Sequence, residues 1–289
     1  PLLSDRLGCD VFAKHENYLP TGSFKVRGGV WLIGQLFEEL KVSGVIAASR
    51  GNHGQSISFA TGKFGIPTTI VVPFDNNPDK NRAMEIMGAE VIEFGRNFDD
   101  ALTHATKLCK LRSLQFIPSF HSMLVQGVGT YAYEFLKAVP GLDVVYVPIG
   151  LGSGLAGFIS AKEALGMEVE IVGVVSEKAD AYALSLEQGK QISTSEADTV
   201  ADGLAVCTPS IAALDFIAGR VSRIIRVSDE LILEALRICI SDVHNLVEPA
   251  GAASLAGLMS EKQKNNGKRA GIVLSGGNVD SSSLVRFLQ

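Results

Sequence analysis

Short apolar runs alternate with longer segments of helical periodicity along almost the whole chain, and this pattern constrains the fold most. The runs lack the alternation of polar and apolar residues that a half-exposed strand shows, so they predict strands buried on both faces of parallel sheets. Helices between successive strands would cover those faces. The predicted strands are residues 11–14, 45–48, 68–72, 90–94, 115–117, 144–149, 170–175, 224–227 and 270–274.

Helical patterns fall between these strands, for example at residues 55–64, 79–87, 98–111, 128–137 and 228–243. The strands from 45 to 117 form a compact series that would make one small sheet, and the others would make a second, larger one. We therefore expect a two-lobed α/β protein in which each lobe is a mostly parallel sheet flanked by helices. The predicted domains are residues 1–40 with 130–289, and residues 41–129. A ligand would bind at the carboxyl ends of strands.

Charge and cysteine usage exclude several classes of protein. The 289 residues carry a net charge of -5 without a long basic cluster, which argues against a nucleic-acid partner. No apolar run has membrane-spanning length, so no membrane partner is expected. The cysteines are widely scattered and form no C-x-x-C pair, which favours reduced thiols in a cytoplasmic protein over disulfides or a zinc site. They are Cys9, Cys109, Cys207 and Cys239.

A lysine within residues 14–29, K-H-E-N-Y-L-P-T-G-S-F-K-V-R-G-G, is the strongest candidate for chemistry. Turn-forming and small hydroxyl residues precede Lys25, and apolar residues at helical spacing follow it, ending at Leu40. Thr21 or Ser23 would cap this helix. Lys25 would then lie in the first turn, where the helix dipole lowers the pKa of its amine. Such an amine can form a Schiff base with a carbonyl, although a solvated lysine at a helix start is the alternative.

Two polar turns follow predicted strands. Residues 49–55, S-R-G-N-H-G-Q, would present donors at a helix N-terminus to an anion such as a carboxylate, or would be an ordinary capped turn. Residues 150–157, G-L-G-S-G-L-A-G, favour phosphate binding, because glycines let the backbone approach a phosphate closely. These glycines also satisfy G-x-G-x-x-G, and Glu177 follows the next strand, so a nicotinamide dinucleotide is a rival ligand.

A third turn, S-G-G-N, begins at Ser275 after the last strand. Ser275 could donate a hydrogen bond to a ring nitrogen of a cofactor, or it could cap a helix at residues 281–288. Glu248 lies between apolar residues and could be a structural hydrogen-bond partner or a group of the site.

Taken together and in this order, T-G-S-F-K-V-R-G, S-R-G-N-H-G-Q, the glycine-rich loop and S-G-G-N resemble the fold-type II pyridoxal-phosphate enzymes, which have a tryptophan synthase β-like fold. The branch most similar is that of the serine/threonine dehydratases and their relative serine racemase. By this resemblance Lys25 would hold pyridoxal 5'-phosphate beside Phe24, and Asn52 would bind its ring hydroxyl. The phosphate would lie on Gly150, Leu151, Gly152, Ser153 and Gly154, with Ser275 at the ring nitrogen.

The resemblance implies a lyase that removes water and ammonia from a 3-hydroxy amino acid such as threonine or serine and gives a 2-oxo acid. The small amino-acid substrate would be held by Ser49, Arg50, Gly51, Asn52 and His53. A racemase, or another β-eliminating lyase of the same fold, is the alternative, and an NAD-dependent dehydrogenase is a more distant one. The family also implies a homo-oligomer, either a dimer or a tetramer.

Three departures from the family pattern change these expectations. Arg50 occupies the place of a hydroxyl that serves racemases as an acid/base, and because arginine stays protonated, racemisation is disfavoured. Arg50 could instead recognise a 3-hydroxyaspartate-like substrate. Val175 and Ala181 occupy the acidic positions of a divalent-metal site, so no metal is expected, although Glu177 and Asp180 lie nearby. No regulatory domain follows Gln289, so feedback inhibition through such a domain is not expected.

Overall fold

The computed structural model describes residues 1–39 and 43–289. In chain order the elements are α1 (Leu2–Leu7), β1 (Asp10–His15), α2 (Lys25–Glu39), β2 (Val45–Ala48), α3 (Asn52–Phe64), β3 (Thr68–Val72), α4 (Pro78–Ile86), β4 (Ala89–Glu93), α5 (Phe98–Leu111), β5 (Gln115–Phe116), α6 (Ser122–Ala138), β6 (Val144–Pro148), α7 (Ser153–Leu165), β7 (Glu170–Ser176), α8 (Ala181–Gln188), α9 (Ile211–Ile217), β8 (Arg223–Val227), α10 (Asp229–Asp242), α11 (Pro249–Ser260), β9 (Arg269–Leu274) and α12 (Ser281–Leu288). Short 3-10 helices lie at Asp202–Leu204 and Lys262–Asn265.

The chain divides into two compact units. The larger contains Pro1–Tyr18 and Gly129–Gln289, and the smaller contains Leu19–Val128. The domain boundary predicted between residues 40 and 41 lies outside the described residues, as does Leu40, the predicted last apolar residue of α2. In the structure α2 belongs to the smaller unit, whereas the sequence assigned residues 1–40 to the larger domain. The physical reason is that α2 packs closely along α3.

The larger unit is built on a five-stranded sheet in the order β1-β9-β6-β7-β8, and every neighbouring pair is parallel. The central strand β6 is buried from Val144 to Val147. Helix α11 lies directly on this sheet, where a Cβ on Gly257 would be 3.0 Å from Tyr146 Cδ1 and 2.7 Å from Val174 Cγ2. A glycine at this position therefore lets the apolar helix approach β6 and β7.

The smaller unit is built on a four-stranded parallel sheet in the order β4-β3-β2-β5. Successive residues of β2 enter different apolar clusters, as expected for side chains that alternate across a sheet. Val45 and Ala47 pack with residues of α2, α3 and α4. Ile46 and Ala48 pack with α5. Helices thus cover both faces, which explains why β2 is apolar at every position.

The predicted fold class is confirmed. Within the described residues each predicted strand forms, and each of its bounds lies within one residue of the prediction. The helices start earlier than predicted in two cases. Helix α3 begins at Asn52, directly after the turn, and α6 begins at Ser122, because Leu124 and Val125 are also buried and extend its apolar face.

Of the residues suggested as helix caps, neither Ser23 nor Ser275 caps a helix. The hydroxyl of Ser23 is buried and makes no hydrogen bond to a described residue, because α2 starts two residues later and its first turn uses backbone carbonyls instead. The amides of Val26 and Arg27 donate to the carbonyls of Ser23 and Phe24. Helix α12 is capped by Asp280, whose carboxylate accepts from the amide of Ser283, and not by Ser275.

Among residues 1–39 and 43–289, none of the helices combines the length and the hydropathy that a membrane crossing requires. All four cysteines are free thiols, and Cys9 and Cys239 are buried.

Candidate active site

A tight turn brings the chain to Lys25. Gly22 adopts a φ of 64°, in the region that glycine tolerates best, and its amide donates to the Leu19 carbonyl at 2.7 Å. Two residues later Lys25 is the first residue of α2, as predicted. Its Nζ lies 5.2 Å from the centroid of the Phe24 ring. The turn therefore places the amine at the N-terminal end of a helix beside an aromatic ring.

The start of α2 is fixed by its contact with α3. Ser56 Oγ donates a hydrogen bond of 2.7 Å to the Lys25 carbonyl. Gly29 allows this approach, since a Cβ there would be 2.8 Å from the Ser56 carbonyl oxygen and 3.0 Å from its carbon. The backbone of Lys25 is thus held against the helix that begins at the Ser49 turn. The sequence analysis missed Ser56, because Ser56 and Lys25 are 31 residues apart and no local pattern links them.

The turn after β2 is organised by the Ser49 hydroxyl. Ser49 Oγ accepts from the amides of Gly51 at 3.0 Å and Gly54 at 2.8 Å. The second bond satisfies one of the free amides in the first turn of α3. The aliphatic chain of Lys80 lies against Gly51, where a Cβ would be 3.4 Å from both Lys80 Cγ and Cε. Any larger residue than glycine at position 51 would displace that lysine.

His53 is the buried, uncharged member of this turn. The residue is only 6% exposed. Burial, and to a smaller extent the nearby charge of Lys25, lower the pKa of His53 to about 3, although a hydrogen bond to the Ile117 backbone acts in the opposite direction. Nε2 of His53 is buried without a hydrogen-bond partner among the described residues. This nitrogen therefore offers a binding partner to a ligand.

Arg50 behaves in the opposite way. It is exposed, and its guanidinium makes no hydrogen bond or ion pair with any residue that the structure describes. Since arginine is always charged, the turn carries one permanent positive charge next to a neutral histidine.

The glycine-rich loop joins β6 to α7 in the larger unit. Gly152 is the N-cap of α7 with a φ of 93°, and no side chain caps the helix. A helix start of this kind, with its positive dipole end and no capping side chain, favours an anion. A Cβ on Gly150 would overlap the carbonyl oxygen of Gly203 and lie 3.5 Å from its carbonyl carbon. The loop therefore presents bare backbone, without side chains, at the place where a phosphate is predicted to bind.

Two tyrosines brace this loop from outside. Tyr182 Oη donates to the Leu151 carbonyl at 3.0 Å and accepts from the Ser210 amide at 3.2 Å. Burial raises the pKa of Tyr182, so its phenol stays protonated and remains a donor. Tyr131 Oη donates to the Gly154 carbonyl at 3.3 Å. The sequence analysis missed both tyrosines and Gly203, since they lie far along the chain from the loop and form no motif with it.

The turn after β9 lies at the same sheet edge as the glycine-rich loop, because β6 and β9 are neighbouring parallel strands. Ser275 is 8% exposed, and its hydroxyl makes no hydrogen bond to a described residue. The amide of Glu248 donates to the Gly276 carbonyl at 3.0 Å. Gly251 packs so closely that a Cβ would be 3.2 Å from the Gly276 nitrogen. These contacts hold the backbone beside Ser275.

The residues predicted for the site fall into two groups. Phe24, Lys25 and residues 49–53 belong to the smaller unit, and residues 150–154 and Ser275 belong to the larger. Of the acids considered for a metal, Asp180 accepts from Arg226 Nε at 2.8 Å and Glu177 is exposed. The described part of the chain holds no cluster of three histidine, cysteine, aspartate or glutamate side chains that could bind a metal ion.

A family model described as "Pyridoxal-phosphate dependent enzyme" matches residues 1–276 of the chain. The chain belongs to this family. The match covers the lysine turn, the Ser49 turn and the glycine-rich loop together. The cofactor is accordingly pyridoxal phosphate. A nicotinamide dinucleotide, the rival ligand of the glycine-rich loop, is set aside.

Relatives and solved structures agree with the family. The chain is 33% identical over 288 residues to an L-threonine ammonia-lyase of Thermotoga maritima, covering 99% of this chain and 72% of that protein. It is 33% identical to an L-threo-3-hydroxyaspartate ammonia-lyase of Saccharomyces cerevisiae, covering 96% and 86%. The processed form of threonine deaminase isoform 2 from Solanum lycopersicum superimposes with a TM-score of 0.93 at 30% identity, covering 99% and 84%.

The residues present fit pyridoxal phosphate. A phosphate needs a concave set of amides, and the uncapped start of α7 beside the bare glycine backbone supplies one. An aldehyde needs an amine on a fixed backbone, and Lys25 supplies it. The pyridine ring of the cofactor needs a polar partner. The Ser275 hydroxyl can be that partner, because it makes no hydrogen bond to a described residue.

Proposed function

We propose that this enzyme is an ammonia-lyase that eliminates the β-hydroxyl of a 3-hydroxy amino acid and releases a 2-oxo acid and ammonia. The observation that carries the proposal is the position of Lys25, which starts a helix and is tied by Ser56 to the helix that follows the Ser49 turn. An amine and a set of carboxylate donors thus share one rigid support. The similar proteins named threonine ammonia-lyase and 3-hydroxyaspartate ammonia-lyase support this reaction class.

We assign the cofactor contacts as follows. Lys25 would hold the aldehyde carbon through Nζ, with Phe24 beside the ring and Asn52 at the ring hydroxyl. The amides of residues 150–154 would hold the phosphate, and Ser275 would donate to the ring nitrogen. A serine is neutral at this position, so it stabilises the nitrogen without placing a negative charge beside it.

The substrate contacts lie in the turn after β2. Ser49 and the start of α3 would donate to the α-carboxylate, where the helix dipole also favours a negative charge. The Ser49 hydroxyl is preorganised, because its oxygen accepts from the amides of Gly51 and Gly54 and its proton can still be donated to the carboxylate. His53, neutral above a pKa of about 3, orients a substrate or the cofactor without repelling a cationic amino group.

The reaction requires removal of a proton from Cα and departure of the hydroxyl from Cβ. Pyridoxal phosphate, when bound, supplies an electron sink for the Cα–H bond pair. Once the substrate amino group has taken its place at the aldehyde carbon, the freed Lys25 Nζ would take the Cα proton as general base. The hydroxyl leaves as water, and one water is consumed when the released enamine hydrolyses, so the net change is amino acid to 2-oxo acid plus ammonia. No oxidant is needed.

Racemisation is the weaker alternative. It requires a group that can give a proton to the opposite face of Cα, and Arg50 stays protonated at every working pH. We further propose that the enzyme acts in the cytoplasm, in keeping with its four free thiols, and that it is a homo-oligomer. Light scattering of the purified protein would measure its mass against the 30.7 kDa of one chain.

The test uses purified holoenzyme with threonine, serine and 3-hydroxyaspartate, each as separate enantiomers, and measures 2-oxo acid and ammonia together. We expect both products in equal amounts. Lys25→Ala should abolish them, and Lys107→Ala, at an exposed lysine of α5, should not. Borohydride reduction followed by peptide mapping should find the cofactor on residue 25. An unmodified Lys25 in cofactor-saturated protein would end the proposal.

A further inference from the structure

Arg50 is a charge that the smaller unit does not neutralise. Residues 40–74, which include β2, α3 and β3, contain no aspartate or glutamate. The guanidinium of Arg50 has no hydrogen-bond or ion-pair partner among the described residues. Any polar side chain would suit this exposed position, so exposure alone does not explain an arginine. An arginine without an acidic partner, in a turn that offers hydrogen-bond donors to an anion, is suited to bind an anionic ligand.

The acids of the neighbouring strands are engaged elsewhere. Glu90 Oε2 accepts from Arg112 Nη1 at 2.5 Å and from Thr69 Oγ1 at 2.9 Å. Glu93 accepts from Asn81 at 3.0 Å, within the β3–β4 edge of the sheet. Neither carboxylate forms an ion pair with Arg50 in the described part of the chain.

We propose that Arg50 determines substrate specificity by binding a second carboxylate, carried on the β-carbon of the substrate. The preferred substrates are then 3-hydroxy amino acids with two carboxylates, of the 3-hydroxyaspartate type. This inference rests on the proposed ammonia-lyase function. It divides the turn between two tasks: Ser49 and the amides at the start of α3 hold the carboxylate on Cα, and Arg50 holds the carboxylate on Cβ.

The neighbours of Arg50 cannot perform the second task. Ser49 is neutral and already accepts two hydrogen bonds, and His53 is held in its neutral form by burial. A guanidinium offers two parallel N–H groups that match both oxygens of a carboxylate. Threonine would present a methyl group to the same guanidinium. Contact with that methyl removes water from a charge without replacing its hydrogen bonds, which disfavours threonine.

The reaction remains balanced with this substrate. The Cα–H and Cβ–OH bonds break, the hydroxyl leaves as water, and hydrolysis of the released enamine consumes one water. A 3-hydroxyaspartate thus becomes a four-carbon 2-oxo dicarboxylate plus ammonia, with both carboxylates retained.

The experiment compares the wild-type holoenzyme with Arg50→Ala, Arg50→Lys and Arg82→Ala, the last at an exposed arginine of α4 that serves as the matched control. The value of kcat/KM is measured for 3-hydroxyaspartate and for serine. We expect the wild type to prefer 3-hydroxyaspartate. In Arg50→Ala the ratio of the two values should fall about 10- to 100-fold, because a charged hydrogen-bonded pair is lost. Arg50→Lys should give an intermediate ratio, and Arg82→Ala the wild-type ratio.

Binding provides a second measurement that does not depend on turnover. Aspartate and alanine lack the leaving hydroxyl, and isothermal titration calorimetry of the holoenzyme should show tighter binding of aspartate. Arg50→Ala should remove that difference. A wild type that prefers serine, or an Arg50→Ala variant with an unchanged ratio, overturns the role of Arg50 while leaving the lyase intact. Absence of 2-oxo acid from every substrate overturns the lyase itself.

Discussion

Two side chains in the turn after β2, Arg50 and His53, differ in charge, and their surroundings explain the difference. Arg50 is exposed and charged, whereas His53 is buried and neutral. Burial penalises the charged form of the His53 imidazole, whereas the Arg50 guanidinium is in contact with water. The turn therefore supplies one fixed positive charge and one uncharged polar ring. The charge of an arginine follows from the residue type, but the sequence S-R-G-N-H-G-Q alone does not show that His53 is buried and neutral.

The buried state of His53 predicts a pH dependence of stability. In the unfolded chain this ring has the ordinary histidine pKa of 6.5, whereas in the folded chain its pKa is about 3. The free energy of unfolding should therefore fall as pH decreases from about 6.5 towards 3, by up to ~1.4 kcal/mol per pH unit from this group.

Urea denaturation at several pH values between 4.5 and 6.5 measures this slope. His53→Asn should make it shallower, even if the variant is less stable at neutral pH. His244→Asn, at an exposed histidine with a φ of 55° that asparagine tolerates, is the control and should leave the slope unchanged. Equal slopes in wild type and His53→Asn would contradict the prediction.

The bare backbone of the glycine-rich loop predicts a second effect at a single residue. An alanine at position 150 would overlap the Gly203 carbonyl, so the loop must move by enough to relieve the contact. Such overpacking costs about 1–3 kcal/mol. We expect Gly150→Ala to weaken the binding of pyridoxal phosphate by about 5- to 150-fold, measured by absorbance titration.

Gly129→Ala is the control for this variant, because the nearest atom to its new Cβ would be the Gly157 carbonyl oxygen at an ordinary 3.6 Å. Its affinity for the cofactor should match the wild type. A Gly150→Ala protein that binds the cofactor normally would show that the loop is not the phosphate cradle.

At the scale of elements, the packing of α2 on α3 supports the reactive amine. One helix offers a matched pair of glycines to test this. Gly29→Ala would press on the Ser56 carbonyl and break the hydrogen bond from Ser56 to Lys25, whereas a Cβ on Gly34 would meet only Phe64 Cζ at 3.9 Å. We expect Gly29→Ala to destabilise the protein by about 1–3 kcal/mol.

Gly34→Ala should be neutral or should stabilise it by up to ~1 kcal/mol, since alanine favours the helix. Chemical denaturation measures both changes. The rate at which Lys25 reacts with pyridoxal phosphate should fall in Gly29→Ala alone. Similar behaviour of the two variants would mean that the contact with Ser56 does not position the lysine.

The elements themselves were largely predictable, because strands such as β2 and β3 are short, apolar at every position and bounded by turns. The helix starts were harder. Helix α6 begins six residues before its predicted start, because its apolar face continues through Leu124 and Val125. The polar residues His121 and Ser122 at its start made this extension hard to recognise in the sequence. Ser23 looked like a cap by residue type alone, but its hydroxyl points to no backbone amide among the described residues. Capping depends on local geometry that residue type does not specify.

At the scale of the whole molecule, the motifs were predictable and their supports were not. Glycines and the lysine are marked by their own neighbours in the chain. Tyr182 braces a carbonyl 31 residues away, and Ser56 binds another carbonyl 31 residues away. Such contacts arise only when separate helices and strands are brought together, so no local pattern indicates them.

The proposed assignment gives the two units different parts of one cofactor, which hydrogen exchange can test. Pyridoxal phosphate should slow amide exchange both near residues 49–54 of the smaller unit and near residues 150–154 of the larger. Pyridoxal, which lacks the phosphate, should protect the first segment and leave the second close to the apo rate. Equal protection by both compounds at residues 150–154 would contradict the assignment of the phosphate.

The position of β1 has a consequence for synthesis of the chain. This strand lies at the edge of its sheet beside β9, so its neighbour is made much later in the synthesis of the chain. At about 5–20 residues per second, the roughly 250 intervening residues take ~10–50 s to translate. During that time the smaller unit can fold completely, while Val11, Phe12 and Ala13 wait without a backbone partner. β1 is therefore exposed to mispairing during synthesis, and that exposure ends only when β9 leaves the ribosome.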